Sequence, residues 1–112
     1  MAASGGRHPS DADRAREALP ALRDLLAALR AGDAAGAAGL LRDDVAWLAP
    51  DATAHGPDAA RERLAAVSAR ADEWAPPQQH GARAALRWRG SGERGALVVE
   101  VRRGRVIVVV EA

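Results

Sequence analysis

The hydrophobic positions in the first part of the chain recur with the period of a helix. Leucines follow one another at steps of three and four residues between Leu19 and Leu29, which places them on one helical face. Ser10 and Asp13 have the spacing of a capping box at a helix start. Pro20 interrupts the leucine pattern, so the helix either bends there or begins its regular part near Leu19.

Two more helices and one strand are predicted before residue 72. A short second helix is expected to lead into Leu41, although nearby glycines weaken it. The segment 44–48 predicts the first strand, because it combines valine, tryptophan and leucine with small residues. Gly56 and Pro57 then open a third helix, since proline is tolerated at the first helical position.

From residue 73 onward the pattern changes to a period of two. The segment 73–79 predicts a weak strand at the edge of a sheet, because its two prolines cannot donate ladder hydrogen bonds. Arg103-Gly104 predicts a tight hairpin between the last two strands. The strands that follow the weak one are expected over 82–89, 95–102 and 105–111. The last of them contains an unbroken aliphatic run, which is typical of a strand buried on both faces.

This order of elements predicts an α+β fold. A chain of 112 residues is long enough for one hydrophobic core, and we expect a flexible arm over 1–11 followed by one domain over 12–112. The absence of cysteine excludes disulfides, thiol catalysis and thiolate metal sites, and favours a reducing compartment. No apolar run has the length of a membrane span, and residues 1–11 lack the apolar core of a signal peptide. We therefore expect a cytoplasmic protein without membrane contact.

The charge of the chain is balanced as a whole but uneven along it. All 16 basic residues are arginine, and 15 acidic residues bring the net charge to +1. Residues 1–82 carry a net charge of −3, whereas residues 83–112 carry +4. The basic C-terminal part raises the alternative of a sheet that binds nucleic acid. Such sheets expose aromatic side chains for base stacking, and the pattern places none there, which argues against nucleic acid as a partner.

Four local phrases carry a resemblance to a known family. Residues 29–33 end the first helix and residues 41–47 lead into the first strand. Residues 55–61 begin the third helix, and residues 97–106 form the final hairpin. In this order and spacing they resemble the SnoaL-like group of the nuclear transport factor 2-like superfamily. The resemblance implies a cone-shaped, curved antiparallel sheet wrapped around three helices, with a pocket inside. Members of this group isomerise steroids, cyclise polyketides, open epoxides, bind ligands or act as regulatory domains, and the fold alone does not choose among these roles.

Alternation along the strands predicts which side chains face the pocket. With Trp88 facing inward, Leu86 and Val99 share its side of the sheet, and Val106, Val108 and Val110 follow. The side chains expected to contact a ligand are Trp47, His55, Trp74, Leu86, Trp88 and Val99. In this register the three C-terminal strands supply no inward carboxylate, histidine or hydroxyl group. The three tryptophans serve equally well as core or as a flat apolar lining whose indole N–H groups orient a ligand.

Three residues are candidates for acid–base catalysis: Asp44, Asp51 and His55. Each has a structural alternative. Asp44 suits a solvated acid between a helix and a strand, and Asp51 suits a turn in which its side chain caps backbone amides. His55 precedes a helix N-terminus, where it either faces an anionic ligand or simply fills the junction. No histidine has a partner at metal-ligand spacing, so we expect neither a metal nor another cofactor.

The outward face of the sheet suggests a second copy of the chain as partner. It is expected to combine aliphatic side chains with charged ones, namely Arg87, Val98, Glu100, Ile107 and Val109. An apolar centre with a charged rim is typical of a self-complementary interface. The sequence therefore favours a homodimeric pocket protein that binds an apolar or amphipathic small molecule. The alternatives are an enzyme of the isomerase, cyclase or epoxide-hydrolase type, and a regulatory domain that binds another protein.

Overall fold

The computed structural model of the protein describes residues 10–112. The first helix, α1, spans Asp11–Arg30 and is continuous, with Pro20 inside it. A capping box fixes its start. The Ser10 hydroxyl accepts a hydrogen bond from the Asp13 backbone amide, and the Asp13 carboxylate accepts one from the Ser10 backbone amide. Most of the arm expected over 1–11 lies outside the described residues, and the helix begins within its last two positions.

Two shorter helices complete the α layer. Helix α2 spans Ala34–Ala38, and the Asp33 carboxylate caps it by accepting a hydrogen bond of 2.8 Å from the Gly36 amide. Helix α3 spans Pro57–Arg70 and follows Gly56, whose φ of +89° lies in the region that favours glycine. The backbone amide of Gly56 donates to Val45, which joins the start of α3 to the first strand.

Within residues 10–112, seven strands form one sheet. They are β1 Leu41–Leu48, β2 Thr53–His55, β3 Glu73–Trp74, β4 Gln78–His80, β5 Arg83–Gly90, β6 Glu93–Arg102 and β7 Arg105–Glu111. The order across the sheet is β2-β1-β7-β6-β5-β3, with β4 also paired to β5, and the curved sheet is not closed into a barrel.

The expected curved antiparallel sheet is confirmed except at one pairing. Strands β1 and β7 run parallel, whereas the other pairs are antiparallel. The two strands are far apart in the chain, so no hairpin fixes their relative direction and a parallel pairing is open to them. The sheet is therefore mixed.

The edge position of the proline-containing segment is confirmed. Pro76 and Pro77 separate β3 from β4, and both short strands pair only with β5 among the described residues. Because proline has no amide hydrogen, it ends the ladder between them. Trp74 lies opposite Trp88 at one end of this edge, and Gln79 lies opposite Ala84 at the other.

A bulge between β6 and β7 changes which side chains of β7 face the helices. Glu100 pairs with Val108 and Val101 with Val106, so one extra residue, Ile107, lies in β7 between these pairs. Val106 and Val109 are consequently buried in the core, whereas Val108 and Val110 are only half-buried. The expected inward set of Val106, Val108 and Val110 is thus correct only for Val106.

The core lies between the sheet and the helices. The leucines of α1 and the stripe Ala60, Leu64 and Val67 of α3 pack against the inner face of the sheet, and the buried residues form one continuous cluster. Within residues 10–112 the longest helix, α1, is too rich in charge to cross a membrane, and the other helices are shorter still.

Candidate functional site

The side chains that the sequence assigned to a ligand pocket are mostly core residues. Trp47 and Leu86 have no exposed surface, Val99 is 1% exposed, and Trp74 and Trp88 are 6% and 4% exposed. All five belong to one hydrophobic cluster with the leucines of α1. The interior that these residues surround is therefore closed by their own packing, and a ligand could reach them only after side chains or a helix move.

Trp88 has a structural role that the structure defines well. A Cβ atom on Gly95, its partner across β5 and β6, would lie 2.8 Å from the indole ring, so only glycine leaves room for the ring there. The guanidinium carbon of Arg70 lies 5.0 Å from the ring centroid, a cation–π distance. The ring therefore anchors the end of α3 to the sheet.

Two buried polar atoms in this interior have no hydrogen-bond partner among the described residues. They are Nε1 of Trp47, on the inner face of β1, and Oγ of Ser68, on α3. A buried donor left without an acceptor destabilises the folded state by about 1–3 kcal/mol. These two atoms are exceptions in an interior whose buried residues are otherwise all hydrophobic. At each of the two positions, a polar atom from outside the chain would be stabilised.

Glu111 is an inward carboxylate that sequence reasoning missed. It lies opposite Leu97, whose side chain is buried, and its own side chain is 17% exposed. Arg63 of α3 approaches it, with 3.7 Å between Nη1 and Oε2, and also approaches Asp51 at 3.5 Å. A strict alternation from Val106 would have turned Glu111 outward, and the bulge at Ile107 reverses its direction. A run of branched aliphatic residues contains no signal for that bulge.

The three candidate catalytic residues lie in different surroundings. Asp44, near the start of β1, is exposed and pairs with Arg42 at 2.9 Å. Asp51 follows the other end of β1 and is also exposed. His55 lies opposite Ala46 in β2, on the row that faces away from the helices, and is exposed. Asp44 lies near the start of β1 and Asp51 lies in the turn that follows its end, so most of the strand separates these two carboxylates. The structure does not bring the three together.

Metal ligands do not cluster within residues 10–112. No group of three histidine or acidic side chains in this part of the chain has the proximity that a metal ion needs.

The outer face of the sheet mixes aliphatic and charged side chains. Val98 lies opposite Val110, and Leu48 beside it is 40% exposed. Glu100, one row further along, binds the Arg83 guanidinium at 2.9 Å. Arg87 is exposed, and Ile107 is half-buried in the bulge. The expectation for Val109 is wrong, because the bulge turns it into the core, where it is 2% exposed; Val108 and Val110 occupy the outer face instead.

Comparison with known proteins identifies a family. The model of the SnoaL-like domain matches residues 22–111, which is most of the chain. A comparison with curated proteins finds no match.

Solved structures with the same fold are similar over most of their length. A protein from Sphaerobacter thermophilus has 18% identity and a TM-score of 0.69, and the alignment covers 86% of this chain and 94% of that one. A nuclear transport factor 2-like protein from Burkholderia xenovorans has 21% identity and a TM-score of 0.64, covering 88% and 84%. A candidate polyketide cyclase from Xanthomonas campestris has 16% identity and a TM-score of 0.65, covering 88% and 90%. At these identities the likeness shows the fold, and together with the match over residues 22–111 it establishes that the chain belongs to the SnoaL-like family.

Proposed function

We propose that the domain binds an apolar or amphipathic small molecule in its interior, with a hydrogen-bond acceptor of the ligand placed against Nε1–H of Trp47. The observation that carries the proposal is the buried indole N–H of Trp47, which has no hydrogen-bond partner among the described residues. Small-molecule sites are mostly apolar with a few polar groups that fix orientation, and this interior has that composition. A ligand oxygen would relieve the penalty of the unpaired indole donor.

Access to the interior is proposed between α3 and the end of the sheet. Two ion pairs connect the edge of this helix with the sheet there, Arg63 with Glu111 at 3.7 Å and Arg70 with Glu93 at 3.3 Å. Both distances are longer than those of strong charge-assisted hydrogen bonds, and the Arg70–Glu93 pair is half-exposed and screened by water. These two ion pairs add little to the attachment of α3, which depends on the buried side chains of Leu64 and Val67 and on the contact between Arg70 and Trp88. Access to Trp47 therefore requires α3 to give up part of this packing.

Catalysis is not part of this proposal. Asp44, Asp51 and His55 occupy separate places, and the likeness to a candidate polyketide cyclase from Xanthomonas campestris extends at 16% identity to the fold alone. The lack of cysteine is consistent with binding in the cytoplasm, a reducing compartment.

Native mass spectrometry of gently purified protein tests the binding proposal. Wild-type protein is expected to carry an additional small mass. Trp47→Phe keeps most of the ring but removes the N–H donor and should lose this mass, whereas the matched control Trp88→Phe should retain it. Bare protein in all three samples would refute ligand binding and would favour a role in binding another protein.

A second candidate role, self-association through the outer face, rests on a separate observation. Leu48 is the one large hydrophobic side chain exposed among the described residues, and it continues a row of half-buried aliphatic residues formed by Val98 and Val110. Arg83, Glu100 and Arg87 provide a charged rim. A two-fold pairing of this face would bury the apolar row and leave the charges at its margin.

Analytical ultracentrifugation distinguishes a homodimer from a monomer. Wild-type protein is expected to sediment as a dimer at micromolar concentration, and Val98→Asp to sediment as a monomer. Ala65→Asp adds the same charge on the exposed side of α3 and should leave the dimer intact. A monomeric wild-type protein would exclude the proposed interface.

A further inference from the structure

A groove at the opposite end of the domain is built from three segments that are distant in the chain. Its walls are the first turns of α1, the β4–β5 turn and the β6–β7 hairpin, and its volume is about 980 Å³. Hydrogen bonds fix these segments to one another. The Gln79 amide donates to the Ala15 carbonyl at 2.8 Å, and the Arg103 backbone donates to the Glu17 carboxylate at 2.8 Å. The groove is therefore a defined feature of the fold.

Positive charge predominates in this groove. Of the described side chains, four arginines line it, Arg14, Arg83, Arg102 and Arg103, together with His80 and the carboxylates of Glu17 and Glu100. The Glu100 carboxylate forms ion pairs with both Arg83, at 2.9 Å, and Arg102, at 3.5 Å. The other, Glu17, already accepts from the Arg103 backbone. No carboxylate within residues 12–112 forms an ion pair with the Arg103 guanidinium.

Arg103 occupies a backbone conformation that its side chain does not favour. Its φ is +52°, and it is the only residue other than glycine with a positive φ in the described part of the chain. Gly104 follows with a φ of +77°, so both central residues of the hairpin are left-handed. Asparagine followed by glycine suits such a turn best, because asparagine tolerates this conformation. An arginine here accepts steric strain and places a guanidinium at the edge of the groove.

We propose that this groove binds a small molecule with two or more adjacent phosphate groups. Guanidinium groups bind phosphate oxygens through two parallel hydrogen bonds, and four arginines of the described residues line this groove. The volume suits a small molecule. Among the described residues, His80 is the one aromatic side chain that lines the groove, so the groove lacks the series of rings on which successive bases of single-stranded nucleic acids stack. This site is independent of the interior proposed above.

Isothermal titration calorimetry with inorganic diphosphate tests the proposal on the full chain. Wild-type protein should bind saturably and with at least tenfold higher affinity than it binds monophosphate. The double variant Arg14→Ala/Arg103→Asn should lose at least tenfold in affinity. The double variant Arg23→Ala/Arg61→Ala removes two exposed arginines outside the groove and should change the affinity less than twofold.

A measurement of thermal unfolding separates loss of the site from loss of the fold. Arg103→Asn should raise the melting temperature, because it relieves strain in the turn, while it lowers diphosphate affinity. If this variant instead unfolds at lower temperature, Arg14→Ala alone decides the test. Equal losses in the groove pair and the control pair would overturn the proposal, as would the absence of saturable binding. Stronger binding of a single-stranded oligonucleotide than of diphosphate, lost in the groove variant, would also overturn it.

Discussion

Neighbouring residues of β6 occupy opposite environments on the two faces of the sheet. Leu97 and Val99 point towards the helices and are 1% exposed each, whereas Val98 and Glu100 on the other face are half-buried. The inner face is built from buried hydrophobic residues, so the unpaired Trp47 N–H is an anomaly there. The outer face tolerates charge beside aliphatic groups. A polar atom is therefore informative on the inner face, and an exposed leucine is informative on the outer one.

Leucine-to-alanine changes on the two faces should differ most. Leu97→Ala removes a core side chain and is expected to lower the free energy of unfolding by about 3 kcal/mol. Leu48→Ala removes a side chain that is 40% exposed and should change it by less than about 1 kcal/mol in dilute protein. If the outer face forms a dimer, the effect of Leu48→Ala grows with protein concentration. Urea unfolding at two protein concentrations measures the loss of stability in each variant and its dependence on concentration. Equal losses of stability in Leu97→Ala and Leu48→Ala would contradict the assignment of the two faces.

The contact between Gly95 and Trp88 should give the next largest effect. Gly95→Ala places a methyl group against the indole ring, and overpacking of this kind destabilises by about 2 kcal/mol. In a Trp88→Leu background the same change should have a smaller effect, because the ring is gone. A double-mutant cycle from urea unfolding measures this coupling. If the effects of the two substitutions on the free energy of unfolding are additive, the added methyl group does not clash with the Trp88 ring.

Trp47→Phe should alter the free energy of unfolding less than Leu97→Ala or Gly95→Ala does. The substitution removes an unpaired buried donor, which is favourable, and reduces apolar contact, which is unfavourable, so the net change is expected below about 1 kcal/mol in ligand-free protein. Trp88→Phe, which relieves no unpaired donor in the interior, should destabilise more. A strongly destabilised Trp47→Phe would mean that this indole N–H is paired in solution.

The smallest effect is expected outside both faces, at the start of α1. The hydrogen bond from the Ser10 side chain, with that from its backbone and the charge of Arg16, lowers the pKa of Asp13 below its ordinary value. A carboxyl group with a lowered pKa in the folded state stabilises the protein above its unfolded pKa, and this contribution is lost as the pH falls through the folded pKa. Asp13→Asn should therefore show less loss of stability than wild type between about pH 5 and pH 2. Parallel pH profiles of the two proteins would contradict this.

Much of the fold could be predicted from the sequence, because its signals are local. The leucine spacing, the capping residues at Ser10 and the hairpin at Arg103-Gly104 each depend on a few neighbouring residues. The proline pair likewise indicated an edge, which the structure confirms. The parallel pairing of β1 with β7 could not be predicted in this way, since it depends on residues more than fifty positions apart.

The candidate site was harder to predict, because a single register decides it. The aliphatic run 106–110 has no polar residue to indicate which side faces water, so the bulge at Ile107 was not foreseeable. Because of that one extra residue, Val109 faces the core, and Val108 and Val110 face outward. The same shift turns Glu111 towards Arg63. The groove also escaped sequence reasoning, since its arginines come from three segments that only the fold brings together.

A crystal structure of gently purified protein tests the central claim most directly, namely that the inner face binds a ligand through Trp47. Our account predicts electron density for a non-protein molecule, with an acceptor atom about 3.0 Å from Nε1 of Trp47. A well-ordered interior that contains no density for a non-protein molecule, or in which Nε1 donates to a protein carbonyl group, would contradict it.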